Sequence, residues 1–313
     1  MRRLVANESM KIYNRKLTWI LLLLLVAITI GASVLGKINS TNINTENWQA
    51  ETTQLIQQYE ERLKITELSP TLRADAENKL KIAGYRLDND MPTPPDNPWS
   101  ALLTFSGLEE MVMIFAITIA ADMVAGEYTA GTMKLLLIRP HSRTKILFSK
   151  YAAVFLFAVV MLALLVVCGY ATNALFYGMG NVHTTDLFLN QQGQIVQQNV
   201  LMQVIKMYGL SIFPVMGYVT FAFTVSTVLR NSALAVGISL FIIIIGNSMI
   251  EATAKMEWLK YLPFPNSDIS LYIFHLPARP EMTLGFSISV LLVYIVILSL
   301  VSWAVFKKCD VSI

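Results

Sequence analysis

The sequence predicts an all-α membrane protein with six transmembrane helices and both termini in the cytoplasm. Apolar residues make up 55% of its 313 residues and charged residues only 14%, against about 25% charged in an average soluble protein. The mean hydropathy is +0.54. Five charge-free runs are each 20 to 25 residues long, and a helix of that length crosses about 30 Å of hydrocarbon. A soluble fold could not hide so much apolar surface, so that class is excluded.

Six segments are predicted to cross the membrane. A weaker apolar stretch, residues 104–123, contains Glu109, Glu110 and Asp122. We predict it as the second span, with a re-entrant or interfacial segment as the alternative. Five crossings would put the termini on opposite sides, which the charges oppose. The charge-free runs are residues 17–36, 151–172, 207–229, 231–250 and 282–306, so four further spans fall within residues 151–306.

The distribution of Lys and Arg predicts the orientation. The two termini and the two links expected on the same side contain 13 of the 24 basic residues but only 4 of the 21 acidic ones. Cytoplasmic flanks of membrane spans carry an excess of Lys and Arg. Residues 1–16 and the tail, residues 307–313, are therefore predicted to be cytoplasmic, in a bacterial inner or plasma membrane.

Residues 1–16 are predicted to form a basic amphipathic helix on the inner leaflet. Leu4, Val5 and Ile12 recur at helical spacing among basic residues, a pattern typical of helices that lie in the membrane interface. An unstructured basic flank is the alternative. The apolar run that follows is too long for a typical signal peptide, so an uncleaved first helix is favoured.

Three external segments are predicted. Residues 37–103 form a polar insertion with two short helices, because Ser69-Pro70 is a helix start signal before a second periodic run. A stiff proline-rich return to the membrane follows. Residues 173–206 are predicted as a loop rich in Gln and Asn. Residues 251–281 form a broken, aromatic interfacial segment that dips towards the lipid.

No residue pattern predicts catalysis, a metal centre or a nucleotide site. The motifs GxxxxGK[ST] and GxGxxG are absent. His141, His183 and His275 lie in different loops without ligand spacing, and Cys168 and Cys309 cannot form a disulfide framework. The net charge of +3 gives no indication of nucleic-acid binding. We therefore expect no cofactor, no metal and no enzyme activity in the chain itself.

The link between the second and third predicted spans, residues 124–150, is compact and basic. It suits a mechanical contact with a soluble partner, and an ordinary positive-inside loop is the alternative. The expected features, in order, are a helix end at Asp122, a break at Gly126-Glu127, a short in-plane helix from Met133 to Ile138, a stop at Arg139-Pro140 and a basic turn into the third span.

The order of residues in this link is similar to a sequence motif of a known protein family. The string GEYTAGTMKLLLIRPHSRTKILFSK closely resembles a motif of ABC transporter permeases of the type-2 export class. The resemblance extends over most of the chain, including the basic lead, the external insertion, the tight turn VLRNSALAVG and the short basic tail. The positions that match the motif are Glu127, Gly131, Thr132, Lys134, Leu136, Leu137, Pro140, Ser142, Arg143 and Lys150.

The resemblance implies a six-helix permease that pairs with a second copy or a relative and contacts the lipid bilayer. Two separate ATP-binding subunits would dock beneath it and bind the ATP. Residues 124–150 would supply the coupling helix, and the N-terminal helix would flank the same cleft. No particular substrate is implied. An intramembrane enzyme or a sensor-type protein without an ATPase is the alternative. The expected coupling residues are Glu127, Gly131, Thr132, Lys134, Arg139, Pro140, Ser142, Arg143 and Lys150.

Glu109, Glu110 and Pro214 are candidate residues of a translocation path. A carboxylate that faces lipid costs about 2 kcal/mol or more, so at least one of the two acids should face protein or a water-filled cavity. Adjacent helical residues point about 100° apart, so we expect that the two acids cannot share one small site. A helix start at the outer interface is the alternative. Pro214 should kink the fourth span, either as a moving joint or as a static packing feature.

Overall fold

The structure is a computed structural model that describes residues 1–39, 47–65, 68–105, 107–133, 141–190, 192–274, 276, 279 and 281–308. Most of these residues are helical, which confirms the predicted helical character of the chain.

Six helices are described in the N-terminal half. They are α1 (Arg2–Tyr13), α2 (Lys16–Asn39), α3 (Trp48–Leu63), α4 (Pro70–Asp88), α5 (Pro98–Leu103) and α6 (Leu108–Thr129). Ser69 caps α4 by accepting a hydrogen bond from the backbone N–H of Leu72. Asn97 and Ser100 form a capping box at the start of α5. These side chains satisfy N–H groups that a helix start leaves without partners.

The C-terminal half adds a small sheet to the helices. It contains α7 (Arg143–Tyr177), β1 (Thr185–Leu189), β2 (Ile195–Asn199), α8 (Val200–Leu210), α9 (Ile212–Leu229), α10 (Ser232–Lys255), α11 (Ser270–Ile273) and α12 (Leu284–Lys308). The strands pair antiparallel, with Thr185 opposite Asn199 and Leu189 opposite Ile195. Two 3-10 helices, Glu257–Tyr261 and Phe264–Asn266, lie between α10 and α11.

Four helical segments in the described part of the chain are long and apolar enough to cross a membrane. They are α2, α7, the stretch Val200–Leu229 formed by α8 and α9, and α12. Large apolar side chains on them stay exposed, such as Leu23, Val167 and Leu300. Exposed apolar surface of this extent marks contact with lipid. The chain is therefore a multi-pass membrane protein.

Helix α6 occupies the centre of the bundle. It contacts α2, α7, α9 and α10, and its alanines Ala116, Ala120, Ala121 and Ala125 are fully buried. Small side chains let neighbouring helices approach closely in a membrane protein. Ser226 on α9 accepts a hydrogen bond from Ala125 N and donates one to Ala121 O. A displacement of α6 would therefore displace the helices that pack against it.

We call one end of the bundle the basic end; it comprises α1, the last turn of α6, the first turns of α7 and the last turn of α12. Lys150 on α7 contacts Glu8 on α1. Arg143 Nη1 donates a hydrogen bond to Lys307 O at 3.1 Å. The first and last helices of the chain thus both contact α7 at the same end of the bundle.

We call the other end the loop end; it comprises α3, α4, β1, β2 and α11. Arg86 on α4 pairs with Asp186 on β1. Asn78 on α4 donates a hydrogen bond to Phe274 O at 3.3 Å. The three segments predicted to be external therefore gather at one end of the bundle.

Several predicted boundaries in the link between the second and third spans are wrong. Helix α6 continues through Asp122 and Gly126 to Thr129 without the predicted end and break. A Cβ at Gly126 would lie 2.6 Å from Asp122 Oδ1, so this glycine leaves room for a carboxylate instead of ending the helix. Helix α7 begins at Arg143, ahead of the predicted start at residue 151, because the Ser142 side chain caps it.

The prediction of a loop over residues 173–206 is also wrong. Its first residues extend α7 to Tyr177, its middle forms the β1–β2 hairpin, and its last residues begin α8. Asn190 O accepts a hydrogen bond from Gly193 N at 2.8 Å, and Gly193 has φ +70°. A positive φ suits glycine, which closes the turn between the strands.

Replacing Arg86 with Ala should loosen the hairpin at the loop end. The Arg86 side chain is buried, pairs with Asp186 and donates to Pro92 O at 3.0 Å. Loss of a hydrogen bond to a charged group costs about 1.5–3 kcal/mol. We expect faster hydrogen exchange over β1 and β2, measured by mass spectrometry. The variant Arg62→Ala, at an exposed position on α3, provides the control. Equal hydrogen-exchange rates of β1 and β2 in Arg86→Ala and Arg62→Ala would contradict the role of the Arg86–Asp186 contact.

Candidate functional site

Four charged side chains meet at the basic end, and we call this cluster the ion quartet: Glu8, Lys11, Glu127 and Lys150. Lys11 Nζ lies 2.8 Å from Glu8 Oε1 and 2.9 Å from Glu127 Oε1. Lys150 Nζ lies 2.8 Å from Glu8 Oε2 and 2.7 Å from Glu127 Oε2. The Lys150–Glu127 contact is an ion pair without hydrogen-bond geometry. Each ammonium contacts both carboxylates, so the four charges sum to zero.

Three helices supply the ion quartet. Glu8 and Lys11 lie one turn apart on α1, Glu127 lies in the last turn of α6, and Lys150 lies near the start of α7. Lys150 is 0% exposed, Glu8 5% and Glu127 8%. Burial of a charge is tolerated when every charge has a partner, and loss of one partner is strongly destabilising. The ion quartet therefore holds α1 against the bundle.

A second set of polar contacts holds the turn between α1 and α2. Arg15 pairs with Asp122 on α6, and Ser232 Oγ at the start of α10 donates to Asp122 Oδ1 at 2.6 Å. Thr18 Oγ1 donates to Ile12 O at 2.6 Å. Asp122 thus connects the N-terminal segment to α6 and α10. It lies on α6, five residues before Glu127 of the ion quartet.

A cleft of about 760 Å³ opens beside the ion quartet. Asn7, Lys11 and Arg15 line it from the N-terminal segment, and Gly126 and Thr129 line it from the end of α6. Its wall combines positive, negative and neutral polar groups. Apolar side chains also line the cleft, and a mixed lining of this kind suits contact with a protein surface.

The predicted coupling residues are only partly brought together. Glu127 and Lys150 belong to the ion quartet. Gly131 follows α6 with φ +68°, and Thr132 N donates to Glu127 O at 3.0 Å. Ser142 caps α7. Arg143 contacts the end of α12, as described above. Lys134, Arg139, Pro140 and most of the predicted in-plane helix from Met133 to Ile138 lie outside the described residues.

The two acidic residues predicted for a translocation path lie at the loop end. Glu109 and Glu110 are in the first turn of α6 and line one cavity of about 110 Å³ together with Asp268. Both residues therefore border one cavity, and the expectation that their two carboxylates point apart stays a prediction. The cavity is bordered by several positions at the start of α6, from Gly107 to Met113, so residues on different helix faces reach it.

Pro214 is buried near the start of α9 and lines an apolar cavity of about 160 Å³. Helix α8 ends and helix α9 begins on either side of Ser211. The regular helix is thus interrupted three residues before Pro214, and the predicted kink at the proline stays a prediction. Proline is tolerated in the first turn of a helix because its missing N–H would have no helical partner there.

The sequence reasoning missed four residues that complete these sites. In the sequence-based prediction, Glu8, Lys11 and Arg15 contribute to the topology, Lys11 and Arg15 also to the polar face of the N-terminal helix, and Asp268 only to an external segment. One signal was available: Glu8 is the lone acidic residue among the basic residues of α1. An acid in a helix that should bind an anionic leaflet indicates a specific partner.

The pKa values of the α1 charges predict the pH range in which α1 stays docked. Burial raises the pKa of Glu8, but attraction to Lys150 and hydrogen bonds from both lysines outweigh it, so the pKa lies below its ordinary 4.5. Burial lowers the pKa of Lys11, but its bonds to Glu8 and Glu127 outweigh it, so the pKa lies above its ordinary 10.5.

The docking of α1 against the bundle should therefore not change with pH near neutrality. The stabilisation from Glu8 is present above pH 4.5 and is lost as pH falls through the lowered pKa. The stabilisation from Lys11 is complete below pH 10.5 and is lost as pH rises through the raised pKa. A spin label at exposed position 10 should keep constant mobility between these limits and gain mobility in acid. A transition near neutral pH would contradict the assigned pairing.

The fold and the lipid-facing helices define the class of this molecule as a multi-pass membrane protein. The family described as "Protein of unknown function (DUF2705)" matches residues 78–312. The chain belongs to this family.

Two relatives from Bacillus subtilis (strain 168) are similar to the chain. The uncharacterized protein YhcI is 31% identical over 315 residues, with 100% of both chains covered. The uncharacterized membrane protein YdbK is 30% identical over 210 residues, which cover 66% of this chain and 80% of the relative. The name of the second relative agrees with a location in a membrane.

Proposed function

We propose that the chain is the membrane-spanning permease subunit of an ATP-driven exporter of the ABC type-2 class. It would cross the bilayer six times, with the basic end in the cytoplasm. A separate pair of ATP-binding subunits would bind and hydrolyse ATP, and a second copy or a related permease would complete the translocation path. The chain itself would have no enzyme activity.

The ion quartet is the observation that carries this proposal. Glu127 and Lys150 are the first and last positions of the permease motif, and they contact each other through the 2.7 Å ion pair. Both also contact α1. A force applied to the chain between Glu127 and Lys150 would therefore be transmitted to α1, α6 and α7 at the same time. Because α6 is the central helix, this arrangement could transmit motion from the basic end to the loop end.

The cleft beside the ion quartet supports docking of a soluble subunit. It lies between α1 and the end of α6, which are the elements expected to flank the docking surface. Lys11 and Arg15 on its wall are partly exposed and could still contact acidic groups of a partner. Charged groups at the rim of an interface favour correct orientation and fast association.

Six crossings are supported by the way the segments gather at the two ends. The N-terminal helix, the α6–α7 link and the end of α12 belong to the basic end, and the three segments predicted to be external belong to the loop end. Helices α6 and α10 would provide the two crossings beyond the four segments that are long and apolar enough on their own. On α6, Asp122 pairs with Arg15 and Glu127 pairs with Lys11, as expected for charges within a membrane protein.

The proposed topology predicts labelling from opposite sides. In a variant lacking Cys168 and Cys309, single cysteines at exposed Asn47 and exposed Ser142 would be tested with a membrane-impermeant maleimide. Asn47→Cys should react in intact cells, and Ser142→Cys should react only after the membrane is opened. Labelling of both positions from the same side would contradict six crossings.

Co-purification tests the proposed function itself. The tagged chain, extracted from its native membrane in mild detergent, should retain a soluble subunit with a GxxxxGK[ST] motif and should hydrolyse ATP. A variant of that subunit lacking the motif lysine controls for contaminating ATPases. A stable preparation without an ATP-binding subunit would favour the alternative, an integral membrane protein that acts alone.

A further inference from the structure

A crevice of about 170 Å³ lies between α7, α9 and α12, close to the basic end, and we call it the aromatic crevice. Two of its side chains, Phe148 and Trp303, are 56% and 38% exposed. The crevice is therefore open to the outside of the bundle, which is lipid for helices that cross a membrane. Its wall includes Leu147, Phe148 and Tyr151 of α7, Phe223 of α9, and Ser299 and Trp303 of α12.

Polar groups in the wall of the aromatic crevice are bonded to one another. The hydroxyl oxygens of Tyr151 and Thr220 lie 2.7 Å apart and form a hydrogen bond. The indole nitrogen of Trp303 donates a hydrogen bond to Thr144 Oγ1 at 3.1 Å. Groups that already have partners within the protein do not need a polar ligand or water. The aromatic crevice therefore suits an apolar occupant.

The length of the aromatic crevice along α12 matches the depth of one membrane leaflet. Ser299 in its wall precedes Lys308, the last residue of α12, by nine positions. Nine residues of a helix span about 14 Å, and half the hydrocarbon thickness of a bilayer is about 15 Å. The crevice therefore lies at the level of the acyl chains in the leaflet at the basic end, with the end of α12 near the headgroups.

Positive charge lies at the headgroup end of the aromatic crevice. Lys307 Nζ lies 4.9 Å from the centre of the Trp303 ring. Arg143, the neighbour of Thr144 in the wall, donates a hydrogen bond to Lys307 O at 3.1 Å. Two cationic side chains of different helices thus meet beside an aromatic residue of the crevice. Cations at this level of a membrane attract the phosphates of anionic lipids.

The acidic residues of the basic end are engaged elsewhere. In the part of the chain that the structure describes, they are Glu8, Asp122 and Glu127. Glu127 and Glu8 are held in the ion quartet, and Asp122 pairs with Arg15. These contacts serve the docking of α1, so the charge that the bundle presents beside Trp303 is positive.

We propose that the aromatic crevice binds one acyl chain of an anionic phospholipid, with the lipid phosphate beside Lys307 and Arg143. Its volume suits part of a single chain, since an apolar cavity of about 150 Å³ accommodates a molecule of the size of benzene. Basic residues between membrane helices bind anionic headgroups, and tryptophan is enriched at the same level of the membrane. The site requires only that its helices cross the bilayer, so it does not rest on the proposed function.

Quenching of tryptophan fluorescence by brominated lipids tests this site. The full chain is reconstituted in phosphatidylcholine vesicles with a rising fraction of either phosphatidylglycerol or phosphatidylcholine that carries bromine on its acyl chains. The chain contains five tryptophans, so the signal of Trp303 is the difference between the wild type and Trp303→Phe. Half-maximal quenching of Trp303 should require about tenfold less brominated phosphatidylglycerol than brominated phosphatidylcholine. Equal requirements for the two lipids would overturn the proposal.

A charge variant separates a bound lipid from general attraction to a basic surface. Lys307→Gln should raise the required fraction of brominated phosphatidylglycerol about fivefold, which is the contribution of one basic residue near the surface. Lys307→Arg should keep the wild-type value. Lys145→Gln is the control, because Lys145 is exposed at the basic end but points about 100° away from its neighbour Thr144 in the wall. Equal shifts in Lys307→Gln and Lys145→Gln would overturn a specific site.

A second variant tests the position of the acyl chain. Ser299→Phe places a ring in the crevice and should reduce the quenching of Trp303 by brominated phosphatidylglycerol at least about threefold. Ser289→Phe, at an exposed position of the same helix, should behave as the wild type. Thermal unfolding shows that each variant is folded, and the Lys307 variants decide the question if Ser299→Phe is not. Wild-type quenching in folded Ser299→Phe would overturn the proposal, as would a Trp303 that neither lipid quenches because a second copy of the chain covers the crevice.

Discussion

Replacing Lys150 with Met is expected to destabilise the folded protein by about 3–5 kcal/mol, because the variant leaves buried carboxylates with too little positive charge. Lys150 is fully buried and contacts both Glu8 and Glu127. Methionine keeps much of the volume, so the lost charge dominates the effect. Denaturant-induced unfolding in detergent, followed by helical circular dichroism, measures the change.

Two further variants separate charge from packing. Lys145, exposed on the same helix, gives the control Lys145→Met, which should change stability by less than about 0.5 kcal/mol. The double variant Glu8→Gln, Lys150→Met restores charge balance and should recover part of the loss, as a double-mutant cycle can measure. Equal stability of Lys150→Met and Lys145→Met would exclude a structural role for the ion quartet.

Replacing Glu127 with Gln is expected to reduce at least tenfold the amount of the proposed ATP-binding subunit that the chain retains. The substitution keeps the shape but removes one of the two carboxylates shared by Lys11 and Lys150. An uncompensated buried charge costs about 3 kcal/mol, which favours arrangements in which α1 leaves its docked position. The ratio of subunit to chain in purified complexes, measured by quantitative mass spectrometry, reports the effect.

Glu60 on α3 supplies a matched control for this variant because it is an exposed glutamate at the loop end. Glu60→Gln should retain the ATP-binding subunit at the wild-type ratio. Membrane insertion of Glu127→Gln should remain intact, since α6 is held by apolar packing along its length. A wild-type ratio for Glu127→Gln would show that the ion quartet does not support docking.

The helices of this protein were predictable where one local signal decides the structure. The charge-free runs predicted the positions of α2, α7 and α12, and Ser69-Pro70 predicted the start of α4. Gly126 shows the limit of such signals. It was interpreted as a helix break, yet α6 continues because the glycine accommodates the side chain of Asp122. Tertiary packing thus overrides a weak local preference.

The candidate site could not be assembled from sequence because its members are far apart in the chain. Glu8 and Lys150 are 142 positions apart, and no spacing rule connects them. The β1–β2 hairpin was missed for another reason: its two strands are each only 5 residues long within a segment rich in Gln and Asn. Short strands of this kind resemble polar loops until their partner is known.

We propose that a soluble ATP-binding subunit docks in the cleft beside the ion quartet. A photo-crosslinking amino acid at Asn7, an exposed residue on the wall of that cleft, tests it in intact membranes. We expect illumination to join the chain to a soluble protein that contains a GxxxxGK[ST] motif, while the same group at Asn47 on the loop end should not. Crosslinks from Asn7 to lipid alone, or to the same partners as from Asn47, would contradict the claim.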